Sequence, residues 1–321
     1  MKLFRIRLLA FIFTFTLLLP YQAFPVPPAD LSNEFPSANS GTQLTNSGAR
    51  EKTFSPHFPY PLGKSRIDPD SKPSYAPDQK NIRYLDYRGY YSVYDVNVNT
   101  PLLTIEHLGQ DHEAIQPDLQ NPVSNNSTPA AKLSRPRNQK FRSDCRLTAL
   151  ERIEHNSYED VTKTFSRGHL TPCGDFDERS LKVQTFMTTN VAPQVQNSFN
   201  DGLWNDLETQ VRTLSDQPKK DFTVITGVVH DDQARALKLN GKISIPTHFY
   251  KIVINDSFPL KPSAFLMQNR HYFSNEMNLC DYIVPVEKIE KLTGMNFLIS
   301  LPENKRQESI NNVGTFEGLC P

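Results

Sequence analysis

The chain has 321 residues, 37% hydrophobic and 22% charged, with 35 Lys and Arg matched by 35 Asp and Glu. That balance excludes a protein held to nucleic acid by bulk positive charge, and the absence of a long apolar run beyond the N-terminus excludes a multi-spanning membrane protein. The length allows one large domain or two small ones.

Lys2, Arg5 and Arg7 precede a run from Leu8 to Leu19 that is apolar except for Thr14 and Thr16 and stops at Pro20. This is the pattern of a secretory signal, and it falls short of the about 20 residues that a bilayer span needs. Residues 1–23 therefore read as a signal peptide or signal anchor. A cleaved leader predicts a secreted or periplasmic protein with no stable membrane partner. An uncleaved leader would anchor it in a membrane, and a mitochondrial leader is the third reading. Residues 24–80 form a Pro- and Ser-rich spacer in which 10 of the 25 prolines fall. With few apolar residues and no period, it cannot bury enough surface to offset the entropy of ordering, so disorder is expected.

A folded domain is expected over residues 81–321. Tyr84, Tyr87, Tyr90, Tyr91 and Tyr94 lead into Leu102-Leu103-Thr104-Ile105, a strand-like stretch, and the polar interval Gln110 to Arg137 reads as a long loop. Leu203, Leu207, Val211 and Leu214 recur at helical spacing between Asn200 and Leu214. Phe222 to Val229 is a continuous apolar run of the buried-strand kind; Ile243 to Ile254, broken at Pro246, and Ser263 to Gln268 are further strands. Val286 to Leu292, ahead of Gly294, reads as a short helix with a glycine cap. Strands and helices do not alternate strictly, which favours an α+β domain over a doubly wound one.

The four cysteines, Cys145, Cys173, Cys280 and Cys320, lack C-x-x-C spacing, so zinc and thioredoxin-type chemistry are disfavoured. With an export signal, two disulfides are expected. Three connectivities are open: Cys280 with Cys320 would tie down the C-terminal tail and Cys145 with Cys173 would clamp the segment around the candidate site described below, while four buried free thiols are the bland reading. No G-x-S-x-G elbow occurs, which disfavours a serine hydrolase.

Two segments carry candidate chemistry. One is Ser166-Arg167-Gly168-His169 followed by Leu-Thr-Pro. The other is Thr189-Asn190-Val191-Ala192-Pro193-Gln194, followed by Asn200, Trp204, Glu208 and Arg212. Residues four apart drift only about 40° around a helix, so these last four would form one stripe. An amide oxygen, a carboxylate and a guanidinium on one face suit a hard cation beside a phosphate. Each alone has a plainer reading: an N-cap for Asn200, a core residue for Trp204, a surface pair for Glu208 with Arg212.

Taken jointly, the SRGH box with LTP, the phrase TFMTTNVAPQ and the N-x-x-x-W-x-x-x-E-x-x-x-R pattern resemble the DNA/RNA non-specific endonuclease family, the group of endonuclease G and the bacterial sugar-non-specific nucleases. The resemblance covers about residues 82 to 302, supported by TVITGVV, IPTHFYKIVI and VEKIEKLTG in order. It implies the ββα-metal (His-Me finger) fold, with a mainly antiparallel central sheet flanked by helices. It also implies metal-dependent hydrolysis of DNA and RNA to products with 5′-phosphates. By position, His169 resembles the general base, Asn200 the direct protein ligand of a Mg²⁺ ion (Mn²⁺ as substitute), and Glu208 the carboxylate that orients a metal-bound water. Arg167 and Arg212 resemble guanidiniums beside the scissile phosphate, and Asn190 a residue supporting the site. Family members of this kind are often homodimers. Ser166 stands where the usual box has Asp, as in the mitochondrial exonuclease-G-like branch.

Residues 81–321 hold 26 Lys and Arg against 29 Asp and Glu, so few phosphates can be neutralised at once. A nuclease that reads no sequence is the expectation, since backbone contacts position without specifying. The alternative is a catalytically weak family member that serves as a nucleic-acid- or protein-binding module, motivated by Ser166 and the acidic balance.

Overall fold

Tyr, Val, Ile and Thr crowd the segments that become strands, because their side chains pack well on a pleated, half-buried surface. In the computed structural model these segments build a seven-stranded sheet. Its strands are β1 (Ile82–Asp86), β2 (Tyr90–Asp95), β3 (Thr100–Leu108), β6 (Phe222–Val229), β9 (His248–Asn255), β10 (Pro262–Gln268) and β11 (Ile283–Val284), in the order β1-β2-β3-β6-β9-β10-β11. Every neighbouring pair is antiparallel. The residues described are 78–109, 140–159, 163–231, 237–256, 261–299 and 301–320. The leader, nearly all of the spacer and the expected loop from Gln110 to Arg137 lie outside them. Among the described residues, no helix is long and apolar enough to cross a membrane.

Two short pairs flank the sheet: β4 (Phe165–His169) with β5 (Val191–Val195), and β7 (Lys238–Leu239) with β8 (Ile243–Ser244). The α-helices among the described residues are α1 (Arg179–Gln184), α2 (Trp204–Ser215), α3 (Val286–Thr293) and α4 (Glu303–Asn311). The α+β expectation holds. Phe222 to Val229 is buried along its whole length, and α3 ends at Gly294, whose φ of 67° is the left-handed cap that glycine adopts most easily. The single stretch read over residues 82–105 is instead three strands, turned at Tyr87–Gly89 and again at Asn99, where φ is 58°. Helix α4 went unread because it has no apolar stripe. It is held by Arg306, which bonds Glu290 of α3 at 2.5 Å and donates to the Phe297 carbonyl at 2.8 Å.

Alternation along the strands divides the core. Leu103, Ile105, Ile225, Tyr250, Ile252 and Ile254 face one way, into a cluster with Val286 and Ile289 of α3 and Ile310 of α4. Leu108, Val224, Val228, Phe249, Val253, Phe265 and Met267 face the other way, against Leu203, Trp204, Leu207, Val211 and Leu214. Each such side chain contributes about 1.5–3 kcal/mol on burial. This second layer fixes α2 against the sheet.

One disulfide is present among the described residues, Cys280–Cys320. The second expected bond, Cys145 with Cys173, is not formed: Cys145 is exposed, Cys173 is partly buried, and both remain thiols. The expectation of two disulfides is therefore corrected to one. The bond closes a separation of 40 residues and ties the C-terminal tail, whose Phe316 packs edge-on against Phe265 at 4.8 Å. Replacing Cys280 by Ser should cost about 4 kcal/mol on the chain-entropy scale for such a loop. Denaturant melts of the variant and the parent measure this directly, and an unchanged midpoint would show that the tail is held by packing alone.

Candidate active site

The site begins on β4. Successive side chains of a strand point to opposite faces, so Arg167 and His169 share one face while Ser166 and Gly168 take the other. The pairing to β5 sets Arg167 opposite Pro193 and His169 opposite Val191. The His169 ring packs against two aromatic rings, Phe141 at 5.3 Å and Phe186 at 5.0 Å, the latter edge-on. The Arg167 guanidinium sits 5.0 Å over the Phe141 ring. Phe141 thus contacts both residues, and nothing in its sequence context marked it.

Ser166 donates to the Gln194 carbonyl at 3.2 Å, across the strand pair. Gly168 is needed for closeness: a Cβ there would lie 2.1 Å from Gln194 Oε1 and 2.6 Å from Gln194 Cβ. Gly168→Ala should push β4 off β5, costing about 1–3 kcal/mol as overpacking does, and displace His169 on the same strand. Thermal melts and catalytic rates of this variant should fall together, and a variant with parental melt and rate would contradict this packing.

Asn190 is fully buried and fully bonded. Its Oδ1 accepts from Thr171 N at 3.0 Å, and its Nδ2 donates to the carbonyls of Thr171 and Thr185, each at 2.9 Å. With no polar atom left over, it fastens the segment leaving His169 to the segment entering β5. A second fastening lies beside it, where Tyr87 donates to Asp144 at 2.5 Å and meets Thr189. Burial acts to raise the Asp144 carboxyl, but hydrogen bonds from Arg146 and Tyr87 outweigh it and hold the group at about 2. Asp144 stands three residues from Phe141, so this anchor also fixes the ring beside His169.

The expected stripe on one continuous α-helix is corrected. Residues Phe199–Leu203 form a π turn, with non-helical angles at Gly202 (φ −116°, ψ −110°), and α2 starts only at Trp204. Asn200 is therefore set on a widened turn ahead of the helix that carries Glu208 and Arg212. Widened turns of this kind recur at functional sites. Asn200 Nδ2 donates to Asp201 at 2.8 Å, so this bond does not use its carbonyl oxygen. Trp204 is 1% exposed and packs against Phe199 and Phe249, so the plain core reading holds for it.

Beneath α2 lies a cluster of charges that the motif reading missed in part. Arg212 grips Asp175 Oδ1 through Nε at 2.7 Å and a terminal nitrogen at 2.6 Å. Gly174 leaves room for this, since a Cβ there would lie 2.8 Å from the guanidinium. Glu106 on β3 and Lys251 on β9 are buried in the same region, and Lys251 Nζ donates to Thr226 at 2.6 Å. Burial pushes Glu208 up to about 7, with Asp175 adding to the rise while Lys251 and Arg212 oppose it. Burial likewise raises Asp175 and lifts Glu106 well above the usual carboxylate range. A lone charge in a mostly apolar strand is the only trace that Glu106 and Lys251 leave in the sequence.

No group of three or more His, Cys, Asp or Glu suited to a metal occurs among the described residues. The donors at hand are an amide oxygen, Asn200, and one carboxylate, Glu208. That set does not suit a dedicated cage of side chains, but it fits a hard divalent ion that keeps most of its waters.

The sequence profile of the DNA/RNA non-specific endonucleases matches residues 72–304. The chain belongs to this family. It is 29% identical over 163 residues to the mitochondrial nuclease of Saccharomyces cerevisiae, covering 44% of this chain and 49% of that protein. It is also 25% identical over 242 residues to the mitochondrial nuclease 1 of Schizosaccharomyces pombe, covering 70% and 69%. The matched region thus spans about half the length of the first of these relatives. Its fold is similar to that of a chain in the crystal structure of the EndoG/EndoGI complex, with a TM-score of 0.54 and 24% identity over 72% of this chain and 91% of that one. The ββα-metal architecture expected of the family therefore holds.

Proposed function

We propose that this protein is a metal-dependent nuclease that hydrolyses phosphodiester bonds in both DNA and RNA. The observation that carries the reading is the placement of His169 and Arg167 on one face of β4, with β5 leading into the turn that bears Asn200 and then into the helix that bears Glu208 and Arg212. His169 takes a proton from the attacking water, a task suited to a side chain whose ordinary pKa is about 6.5. Arg167 meets the negative charge of the scissile phosphate. Asn200 would hold a Mg²⁺ or Mn²⁺ ion through its carbonyl oxygen, and Glu208 would accept hydrogen bonds from the ion's waters. When bound, the ion supplies charge stabilisation for the departing 3′ oxygen, which leaves 5′-phosphate products. Arg212, committed to Asp175, lends its remaining donors and its charge from one side.

Asn190 acts as a scaffold residue in this reading rather than as a group that meets substrate. The names of the two yeast relatives support a mitochondrial location over secretion. The acidic balance of the domain supports weak, sequence-blind grip on polymer.

The test is cleavage of plasmid DNA and of RNA by the full chain with Mg²⁺, with Mn²⁺ and with EDTA, the products then being end-labelled to find the phosphate. A protein that binds nucleic acid in EDTA but cuts under no metal would favour the binding-module reading. Ser166→Asp, which restores the family's usual residue, should leave the rate unchanged or raise it. A loss beyond about 10-fold would show that the strand pair has been rebuilt around the Ser166 hydroxyl.

A further inference from the structure

The sheet face under α2 is mostly apolar, and a polar row crosses it. Thr104, Thr226 and Lys251 are cross-strand partners on β3, β6 and β9, and Glu106 lies two residues along β3 from Thr104 on the same face. The row is bonded at both ends. Thr171, two residues past His169, donates to Thr104 at 2.9 Å, and Lys251 donates to Thr226 at 2.6 Å. Lys251 is 1% exposed and its ammonium lies 5.4 Å from the centre of the Trp204 ring, one turn before Glu208 on α2. Glu106 is 0% exposed, and neither of its carboxylate oxygens has a hydrogen-bond partner. A bare carboxylate in such a place is costly unless a charge answers it.

Five charged groups act on one another here: Glu106, Asp175 and Glu208 against Arg212 and Lys251. Arg212 is taken by Asp175. That leaves Lys251 as the cation that acts on both Glu106 and the partly buried Glu208.

We propose that Lys251 is a positioning residue of the nuclease site, with Glu106 as the buried carboxyl group behind it: its ammonium, fixed by Thr226 and the Trp204 ring, holds the Glu208 carboxylate in place for the metal-bound water. This rests on the nuclease reading above. Lys251 touches no substrate in this account; it acts through Glu208.

The decisive experiment compares K251M, K251R, E106Q and the double variant E106Q/K251M in the full chain. Each is assayed for melting temperature, for kcat and KM on plasmid DNA, and for Mn²⁺ binding by electron paramagnetic resonance without substrate. K251M should lower kcat or Mn²⁺ affinity by about 10–100-fold, the usual cost of losing support behind a metal site, with KM for DNA little changed. K251R should recover part of that loss. The double variant, in which neither buried ionisable group remains, should regain the melting temperature lost by either single variant but not the kcat or the Mn²⁺ affinity.

If E106Q/K251M regains stability, kcat and Mn²⁺ affinity together, Lys251 is only a structural ion-pair partner and the proposal falls. It also falls if K251M retains parental kcat and Mn²⁺ affinity. Should K251M alone fail to fold, the double variant and K251R still decide. Parental enzyme that cuts no DNA would defeat the nuclease reading instead, and the parental sample in the same assay separates that outcome from failure of the Lys251 role.

Discussion

Replacing His169 by Ala is expected to lower the rate of DNA and RNA cleavage by about 10²–10⁴-fold, the usual contribution of a general base. The fold should survive. His169 is only partly buried, and its neighbours Phe141 and Phe186 still pack on each other at 5.1 Å without it. The backbone pairing to Val191 does not need the imidazole. Loss of rate with unchanged melting and unchanged binding of nucleic acid would place the defect in proton transfer. A loss of rate matched by a loss of melting temperature would mark the ring as packing for Phe141.

Asn200→Ala is the second large effect expected. Because its amide oxygen is the direct ligand in this account, the Mg²⁺ concentration giving half-maximal rate should rise by more than the about 10–100-fold typical of groups one step removed from a metal. Stability should change little, since the side chain is half exposed and its one hydrogen bond runs to the adjacent Asp201. Rates measured across a Mg²⁺ series, with Mn²⁺ binding followed in parallel, would show the shift. An unaltered metal dependence would make Asn200 a residue of the π turn and nothing more.

The two substitutions differ in what added metal can repair. High Mg²⁺ should bring Asn200→Ala back toward the parental rate, because the base and the guanidiniums remain. It should do nothing for His169→Ala, whose missing proton acceptor no ion replaces.

Much of this site was legible because its residues sit in short, ordered phrases. The SRGH box placed Arg167 and His169 two apart, and β4 turns that spacing into one shared face. The run Phe222 to Val229 declared a buried strand because it is apolar on both faces, and a central strand is covered on both. Where two faces differ in kind, the reading was poorer. Glu106 and Lys251 lie in stretches whose other residues are mostly apolar, and a lone charge there reads as a solvent-facing residue until the opposite layer is known.

The π turn was hidden for another reason. Asn200, Trp204, Glu208 and Arg212 keep a spacing of four, which an α-helix accepts, and only Gly202 hints that the backbone departs from it. Helix α4 lacks an amphipathic signal because its hold on the core is Ile310 and the ion pair of Arg306 with Glu290. Cysteine parity suggested two disulfides, but parity counts thiols and not distances, and Cys145 with Cys173 stayed reduced. Phe141 was missed because an aromatic ring carries no chemical label until its neighbours are seen.

The central claim is that His169 and a divalent ion together cut phosphodiester bonds. Its most direct test is a plasmid-nicking and RNA-degradation assay on the full chain, with Mg²⁺ and with EDTA, beside His169→Ala prepared in the same way. The account predicts nicked plasmid and degraded RNA for the parent with Mg²⁺ alone, and intact substrates in EDTA and with the variant. Cleavage that persists in EDTA, or equal cleavage by His169→Ala, would contradict it.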